Sequence, residues 1–213
     1  MAIADIISPD DFMPATLQRR AFDREGWVFE HKLDGFRALV RRTSAGVDVL
    51  SRSSRSLAVA FPEVARAAAA LPTGVVLDAE LIVLGEHGFG SFEDTRRRVV
   101  MKRPTSIIEA ANEQPAVLCV FDCLVLRGRD IRARPLLERK AAIAPHLAYL
   151  PGVQVVSFIG KHGVAAFAAA VEFGTEGIVA KRADSPYKPG RSADWSKIKN
   201  PDFYRPAALG IRE

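Results

Sequence analysis

Short strand-like runs, rich in Val, Ile and aromatic residues and separated by turn signals, are the feature of this sequence that most limits its fold. We predict strands at residues 27–31, 36–41, 47–51, 75–84, 116–126, 154–158 and 177–181. Helical patterns are fewer and cover residues 62–71, 135–147 and 163–173, with a weaker helix at 92–99 for which Ser91 is a candidate N-cap. Because the strands outnumber the helices and do not alternate with them strictly, the sequence predicts an α+β fold with antiparallel sheets.

The length and composition are typical of a globular protein. A chain of 213 residues forms one large domain or two small ones, and 48% hydrophobic with 26% charged residues excludes disorder as its main state. No apolar stretch approaches the roughly 20 residues that span a bilayer, and the N-terminus lacks the positive region of a secretory signal. Cys119 and Cys123 lie in an apolar run and are predicted to be buried thiols. We therefore expect a soluble, cytoplasmic protein without a membrane partner.

Basic residues are clustered along the chain. The formal net charge is +5, which permits contact with nucleic acid without requiring it. One cluster contains Arg37, Arg41, Arg42, Arg52 and Arg55, and the other contains Arg96, Arg97, Arg98, Lys102 and Arg103. Two solvated faces are the plain alternative to a nucleic-acid surface.

Lys32 lies between two predicted strands, next to an Asp34-Gly35 pair. Asp-Gly is a strong hairpin signal, so a hairpin turn with a solvated lysine is one interpretation. The other is a nucleophile, because Lys32 ends a strand with the acids Glu30 and Asp34 on either side and Arg37 close by. A lysine amine attacks only when neutral, and its reference pKa is about 10.4, so nearby cations or a metal would be needed to lower that pKa.

A second basic group is available near the C-terminus. Lys197 and Lys199 are two residues apart, which places both on one face of a strand. They can be phosphate ligands that neutralise a nucleotide and its leaving group. Alternating lysines are also typical of an edge strand that is protected against aggregation.

Taken in order, six segments of the chain resemble the motifs of the covalent nucleotidyltransferases, the superfamily of ATP-dependent DNA ligases, RNA ligases and mRNA capping enzymes. They are residues 32–37 (motif I), 51–54 (Ia), 77–81 (III), 120–126 (IIIa), 176–181 (IV) and 197–199 (V). Residues 131–132, 135–140 and 185–192, followed by Trp195, are similar to bacterial DNA ligases of the end-joining type. The resemblance covers residues 12–199.

This resemblance implies an ATP-grasp-like α+β catalytic domain, in which helices flank antiparallel sheets and the nucleotide cleft lies between them. Residues 1–199 would form the nucleotidyltransferase (adenylation) domain, and residues 200–213 a tail or truncated linker. DNA ligases usually continue after motif V into an OB-fold domain, which we expect to be absent from this chain.

The implied reaction starts with attack of Lys32 on the α-phosphorus of ATP and release of pyrophosphate. AMP, carried on the lysine, is then transferred to the 5′-phosphate of a DNA nick in repair or recombination, and a phosphodiester bond forms. At the base, Glu30 and the backbone of His31 would read the adenine edge, and Phe121 and Val179 would hold the ring between them.

Further along the nucleotide, Arg37 and Glu80 would hold the ribose. Lys197 and Lys199 would bind the α-phosphate, with support from Lys181. The implied cofactors are ATP and Mg²⁺, because a site with few carboxylates suits an ion that takes its oxygens from phosphates and water.

The metal and the DNA would use further residues. Glu176 would position the ion, with Asp34 near it. Arg52 would serve the bound nucleotide. Arg52 and Arg55 would face the phosphate backbone of nicked duplex DNA or the 5′-phosphate next to the AMP, and the same is expected of the arginines at 96–98. Such contacts position the DNA without reading its sequence. An OB-fold domain or end-joining and repair proteins are the other implied partners.

The sequence departs from the family pattern at several positions on the DNA side. Ala79 stands where motif III usually has Gly, Ser53-Ser54 stands where motif Ia often has Asn-Gly, and Ser196 replaces an apolar residue. The segment at 92–98 also differs from the usual pattern of relatives. The residues implied in adenylation are all kept.

Two alternatives stay open from the sequence. One is an RNA ligase or a GTP-using capping enzyme with the same lysine chemistry. The other is a catalytically incomplete DNA-binding module, which would bind DNA in a salt-sensitive way without forming a covalent adduct. The glycine spacing does not match a P-loop or a kinase loop.

Overall fold

The computed structural model describes residues 2–85, 88 and 90–204 of the chain. Its strands are β1 (Ala15–Leu17), β2 (Trp27–His31), β3 (Phe36–Thr43), β4 (Gly46–Ser51), β5 (Val75–Leu84), β6 (Gly90–Ser91), β7 (Ala116–Leu126), β8 (Arg129–Asp130), β9 (Val153–Val155), β10 (Ile159–Gly160), β11 (Gly177–Arg182) and β12 (Ser192–Lys199). Its helices are α1 (Ile3–Ile6), α2 (Pro62–Ala69), α3 (Phe92–Val99), α4 (Pro104–Glu113), α5 (Leu136–Leu147) and α6 (Gly163–Glu172), with a 3-10 helix at Pro9–Asp11. The α+β prediction is confirmed.

The described strands form two sheets that are mainly antiparallel. The first has the order β1-β12-β11-β2-β10, and the second has the order β4-β3-β5-β7-β8, with β6 beside β5 and β9 beside β7. Two pairs are parallel, β1 with β12 and β7 with β9. In both pairs one partner is only three residues long, so the architecture remains that of antiparallel sheets.

The chain passes from the first sheet to the second at the Asp34-Gly35 pair. Strand β2 belongs to one sheet and β3 to the other, so the hairpin interpretation of this pair was wrong. A Cβ atom on Gly35 would lie 2.3 Å from the carbonyl oxygen of Leu81 and 2.6 Å from Cγ2 of Ile82. The crossing therefore runs so close to β5 that glycine alone fits without displacement, and Lys32 is placed where the two sheets meet.

Each sheet buries one face against helices. The second sheet packs on α2 and α5 through a large apolar core that includes Val64, Leu77 and Ile143. The first sheet packs on α6, where Phe29 contacts a helix face of small side chains that includes Ala170. A third core joins Val28 of the first sheet to Leu39 of the second, so only the remaining part of the opposite faces is available for a site.

Most predicted elements have the predicted position. The strands at 27–31, 75–84 and 116–126 are found with those bounds, and Ser91 caps α3 by accepting a hydrogen bond from the Asp94 amide at 3.2 Å. In place of the strand predicted at 154–158 the structure has the shorter β9 (Val153–Val155), and α5 begins at Leu136 rather than at Pro135. Helix α4 was not predicted, and it buries only Ile107.

Cys119 and Cys123 are buried free thiols, as predicted. Burial raises the pKa of the Cys119 thiol to about 11. No helix within residues 2–85, 88 and 90–204 is long and apolar enough to cross a membrane. Of the predicted tail, residues 205–213 lie outside the described residues.

Candidate active site

A cleft of about 540 Å³ has walls from both sheets. Strands β2, β11 and β12 contribute from the first sheet, and β3, β5 and β7 from the second, while residues 9–15 close one side. Twelve of the thirteen site residues predicted from the sequence line this cleft, namely Glu30, His31, Lys32, Arg37, Arg52, Glu80, Phe121, Glu176, Val179, Lys181, Lys197 and Lys199. Residues that lie up to 169 positions apart in the sequence therefore share one concave surface, as expected of a ligand site.

Lys32 follows directly after β2 and is held by β11. Its backbone amide donates to the carbonyl oxygen of Gly177 at 2.9 Å, which continues the pairing of the two strands. Its Nζ lies 2.7 Å from Oε2 of Glu176, whose side chain is 5% exposed, while that of Lys32 is 20% exposed. The amine is thus fixed in direction by a buried carboxylate and still faces the cleft.

Two further lysines converge on the same end of the cleft. In the register of β11 and β12, Lys197 lies opposite Val179 and Lys199 opposite Gly177. The Nζ atom of Lys199 is 3.1 Å from Oε1 of Glu176, so this carboxylate contacts two ammonium groups. We call Lys32, Glu176, Lys197 and Lys199 the phosphate end of the cleft.

The phosphate end is electropositive. Burial lowers the pKa of Lys197, and the positive charges of Lys32 and Lys199 lower it further. Three lysines around one carboxylate leave an excess of positive charge, which a bound phosphate group would offset. Strand β12 lies between β1 and β11, so the edge-strand interpretation of its lysines was wrong.

A second cluster in the cleft is built around the carboxylate of Glu30, which is 3% exposed. Its Oε1 is 2.7 Å from Nζ of Lys140, and its Oε2 is 2.5 Å from Nζ of Lys181. The Lys181 ammonium also lies 4.3 Å from the ring centre of Phe121 and 4.2 Å from that of Trp195. We call Glu30, Lys140, Lys181, Phe121 and Trp195 the base end of the cleft.

Lys181 therefore makes its described contacts at the base end and not with the lysines at the phosphate end. Burial lowers its pKa, while the charge of Glu30 acts in the opposite direction. From the sequence, Lys140 belongs only to the segment that resembles end-joining ligases and has no predicted site role. Lys140 lies four residues after Leu136 and three before Ile143, so helical spacing places it on the buried face of α5. That position was the signal that could have marked it as a buried ion-pair partner.

Arg37 joins the cleft to a buried network. Its guanidinium bonds the two oxygens of Asp78 at 2.9 and 2.6 Å and the carbonyl oxygen of Met13 at 3.0 Å. Asp78 also accepts a hydrogen bond from the hydroxyl of Tyr187 at 2.7 Å, and that hydroxyl accepts one from the Met13 amide at 3.1 Å. Burial alone would lower the pKa of Arg37, but the charge and hydrogen bonds of Asp78 raise it. Glu80 lies opposite Arg37 in the β3–β5 register, which brings the two residues predicted for the ribose side by side.

Asp34 is the one predicted site residue outside this cleft. It accepts a hydrogen bond from the Phe92 amide at 3.3 Å, at the start of α3. It lines a neighbouring cavity of about 620 Å³, to which His31, Lys32 and Glu176 also contribute. Among the residues that the structure describes, no group of three or more His, Cys, Asp or Glu side chains could hold a metal ion by itself.

The basic clusters divide into surface and internal residues. Arg52 lines the cleft, and Arg52 and Arg55 are both exposed. Arg98, in contrast, is 3% exposed and bonds Glu63 at 2.9 Å, so its prediction as a DNA contact was wrong. Helix α3 turns this side chain inward because the apolar Phe92 face packs on β5.

Comparison with known proteins assigns the chain to a family. The family model described as "ATP dependent DNA ligase domain" matches residues 14–199. The SPbeta prophage-derived DNA ligase-like protein LigB of Bacillus subtilis is 33% identical over 186 residues, covering 87% of this chain and 65% of LigB. The bifunctional non-homologous end joining protein LigD of the same organism is 32% identical over 193 residues, covering 82% of this chain and 31% of LigD.

Solved structures agree with the sequence matches. The ligase domain of M. tuberculosis LigD has a TM-score of 0.71 and 29% identity, covering 91% of this chain and 62% of that one. A mycobacterial DNA ligase D complexed with ATP and MES has a TM-score of 0.70 and 29% identity, with the same coverage. The chain thus spans less than two thirds of the length of each of these relatives.

Proposed function

Because this chain belongs to the ATP-dependent DNA ligase domain family, we propose that it adenylates itself on Lys32 and supplies the AMP for sealing a nick in DNA. The bond from Nζ to the α-phosphorus of ATP forms as the bond from that phosphorus to the pyrophosphate oxygen breaks. The Lys32 ammonium loses one proton to solvent before it attacks and a second as the phosphorus–nitrogen bond forms, and pyrophosphate leaves. The observation that carries the proposal is the Lys32–Glu176 contact of 2.7 Å in an otherwise cationic end of the cleft.

The phosphate end suits this displacement. Lys197 and Lys199 would bind the α-phosphate and offset the charge that develops on it and on the leaving group. Glu176 keeps the Lys32 amine directed into the cleft, which lowers the entropic cost of reaching an in-line geometry. Lys197 and Lys199 are placed by the pairing of β11 with β12, and Lys32 is placed by the hydrogen bond from its backbone amide to β11. The arrangement therefore exists before a nucleotide binds.

The rest of the cleft suits a purine nucleotide. The Glu30 carboxylate would accept a hydrogen bond from the amino group of adenine, next to the backbone of His31. The ring would lie between Phe121 and Val179. Arg37 and Glu80, side by side on neighbouring strands, would hold the ribose hydroxyls. Lys181 contacts Glu30, so we place its contribution at the base rather than at the α-phosphate.

The donor chemistry also fits Mg²⁺. Glu176 supplies carboxylate oxygen, which Mg²⁺ prefers, and the ion commonly takes its remaining ligands from water and from nucleotide phosphates. Glu176 would hold it, with Asp34 across the neighbouring cavity that both residues line. When bound, the ion would neutralise phosphate charge and orient the leaving group.

The acceptor step follows from the same family. AMP would pass to a 5′-phosphate at a nick in duplex DNA, and an attacking 3′-hydroxyl would then close the backbone and release AMP. Arg52 and Arg55 are the exposed cations that would bind the duplex through its phosphates. End-joining proteins and an OB-fold domain are the partners we propose, since relatives include a protein named for non-homologous end joining, and the cytoplasm is the proposed location.

Intact-protein mass spectrometry after incubation with ATP and Mg²⁺ tests the first step. The wild type is expected to gain one AMP, which peptide mapping places on Lys32, and Lys32→Ala is expected to gain none. Lys102→Ala, a change at an exposed lysine outside the cleft, is the matched control and should be adenylated like the wild type. DNA binding without any adduct in the wild type would instead support the incomplete DNA-binding module, and an adduct with GTP in place of ATP would support a capping-type enzyme.

A further inference from the structure

Lys140 is the one charged residue at the base end that does not line the cleft. Glu30, Lys181, Phe121 and Trp195 all form part of its wall. Lys140 reaches the same place from behind, from α5, and its side chain is 5% exposed. Its Nζ lies 2.7 Å from Oε1 of Glu30 and 3.3 Å from the carbonyl oxygen of Phe121. It therefore contacts two of the residues that would surround the base without being able to contact the base through the wall.

The two lysines hold the Glu30 carboxylate from both sides. Lys181 occupies Oε2 at 2.5 Å, and Lys140 occupies Oε1. A buried carboxylate with one ion partner would turn toward that partner, whereas two partners on different oxygens fix the plane of the group. The other charged groups close by, Arg139 and Asp122, are fully buried and bond each other at 2.7 Å through two pairs of atoms. They therefore leave Lys140 as the group that sets the position of Oε1.

We propose that Lys140 is a positioning residue for nucleobase selectivity, acting through Glu30. An ionised carboxylate only accepts hydrogen bonds. Adenine presents an amino group at C6, which would donate to Glu30, whereas guanine presents a carbonyl oxygen there, which the carboxylate would repel. If Lys140 is removed, Glu30 turns toward Lys181, the acceptor leaves its place, and the discrimination against guanine falls. This inference rests on the proposed function, because it assumes that a purine occupies the base end.

Equilibrium titration of the protein with ATP and with GTP, without metal, tests the inference apart from the covalent step. Lys140→Met keeps the length of the side chain and removes its ammonium group. We expect the Kd for ATP to rise about tenfold while the Kd for GTP changes little, so that the ratio of the two affinities falls about tenfold. Lys140→Arg keeps the charge and is expected to restore part of that ratio.

A matched control separates positioning from loss of stability. Arg98→Met also removes a buried cation from an ion pair, that with Glu63, but it lies outside the cleft lining. It should lower the melting temperature and leave the ATP to GTP ratio as in the wild type. A double-mutant cycle with Glu30→Gln tests the route of action, because Lys140→Met should have no further effect on the ratio once Glu30 has lost its charge.

The outcomes are distinct. An unchanged ratio in folded Lys140→Met, or a wild type that binds ATP and GTP equally well, would overturn the inference. If Lys140→Met does not fold, the ratio measured with Lys140→Arg decides: a longer, forked cation holds Oε1 in another position, so a ratio equal to that of the wild type would overturn the inference. A wild type that prefers ATP but forms no adduct would leave this inference standing and contradict the proposed self-adenylation.

Discussion

Two buried carboxylates organise the lysines of the phosphate end and of the base end of the cleft. Glu176 contacts Lys32 and Lys199, and Glu30 contacts Lys140 and Lys181. A lysine is a flexible side chain with a large rotamer entropy, and a fixed carboxylate reduces the freedom that must be lost on binding. The ion pair also neutralises part of the lysine charge, so a bound ligand must compete with the carboxylate for the ammonium group. Each carboxylate is therefore a positioning group before it is a ligand of nucleotide or metal.

Glu176→Gln tests this at the phosphate end. The amide keeps the shape but loses the charge that directs the Lys32 amine, so the rate of self-adenylation is expected to fall about 100-fold, while ATP still binds. Single-turnover mass spectrometry with a range of ATP concentrations would separate the rate from the affinity. The idea fails if the variant reaches the wild-type rate at saturating ATP.

Lys197 gives a prediction about pH. Its pKa is lowered by burial and by the charges of Lys32 and Lys199, and Arg191 acts in the same direction, while Glu176 opposes them. A lysine with a lowered pKa loses its proton at a lower pH than an exposed lysine does, and its attraction for the α-phosphate is lost as pH rises through that value. ATP affinity should therefore weaken at moderately alkaline pH in the wild type. In Lys197→Arg, whose guanidinium stays charged, the decline should move to higher pH in the same titration.

At the scale of secondary structure, the site depends on where strands of different sheets meet. The bounds of β2, β5 and β7 could be predicted because each is a run of apolar and β-branched residues ended by a turn signal. The crossing at Gly35 could not, because Asp-Gly carries the same local signal whether the next strand pairs with the first or joins another sheet. The lysines of motif V were predictable as a period-two pair, and helical spacing places Lys140 on the buried face of α5. The ion-pair partner of Lys140 and the inward direction of Arg98 depend on packing that the sequence does not show.

Gly35→Ala tests the crossing itself. The added methyl would meet backbone of β5 at 2.3 Å, and the strand must shift to accommodate it. We expect a loss of roughly 1–3 kcal/mol of stability from overpacking, together with slower adenylation, because Lys32 is three residues away. Thermal unfolding and the adduct assay measure the two effects. Gly160→Ala is the matched control, since nothing lies within 4 Å of its added methyl and both measurements should match the wild type.

The whole molecule carries a modest positive charge, and much of it is used internally. The formal net charge is +5, yet Arg37, Arg98 and Arg139 each bond a buried or half-buried carboxylate. A count of basic residues therefore overstates the surface that DNA can use. Electrostatic attraction to a duplex depends on exposed cations whose counterions, and those of the phosphates, can be released. In the described part of the chain, Arg52 is exposed and lines the cleft, and Arg55 is exposed three residues further along.

Salt dependence of binding to nicked duplex DNA tests that distinction. For each cation that contacts a phosphate, the slope of log affinity against log salt should change by about one on neutralisation. Arg55→Gln is expected to reduce the slope by about this amount and to leave self-adenylation unchanged, because Arg55 does not line the cleft. Arg52→Gln should reduce the slope and also slow adenylation, because Arg52 does line it.

Arg182→Gln, which removes an exposed arginine that already bonds Asp184 at 2.7 Å, is the matched control and should leave the slope nearly unaltered. Equal slopes in all four proteins would place the duplex on another face of the molecule.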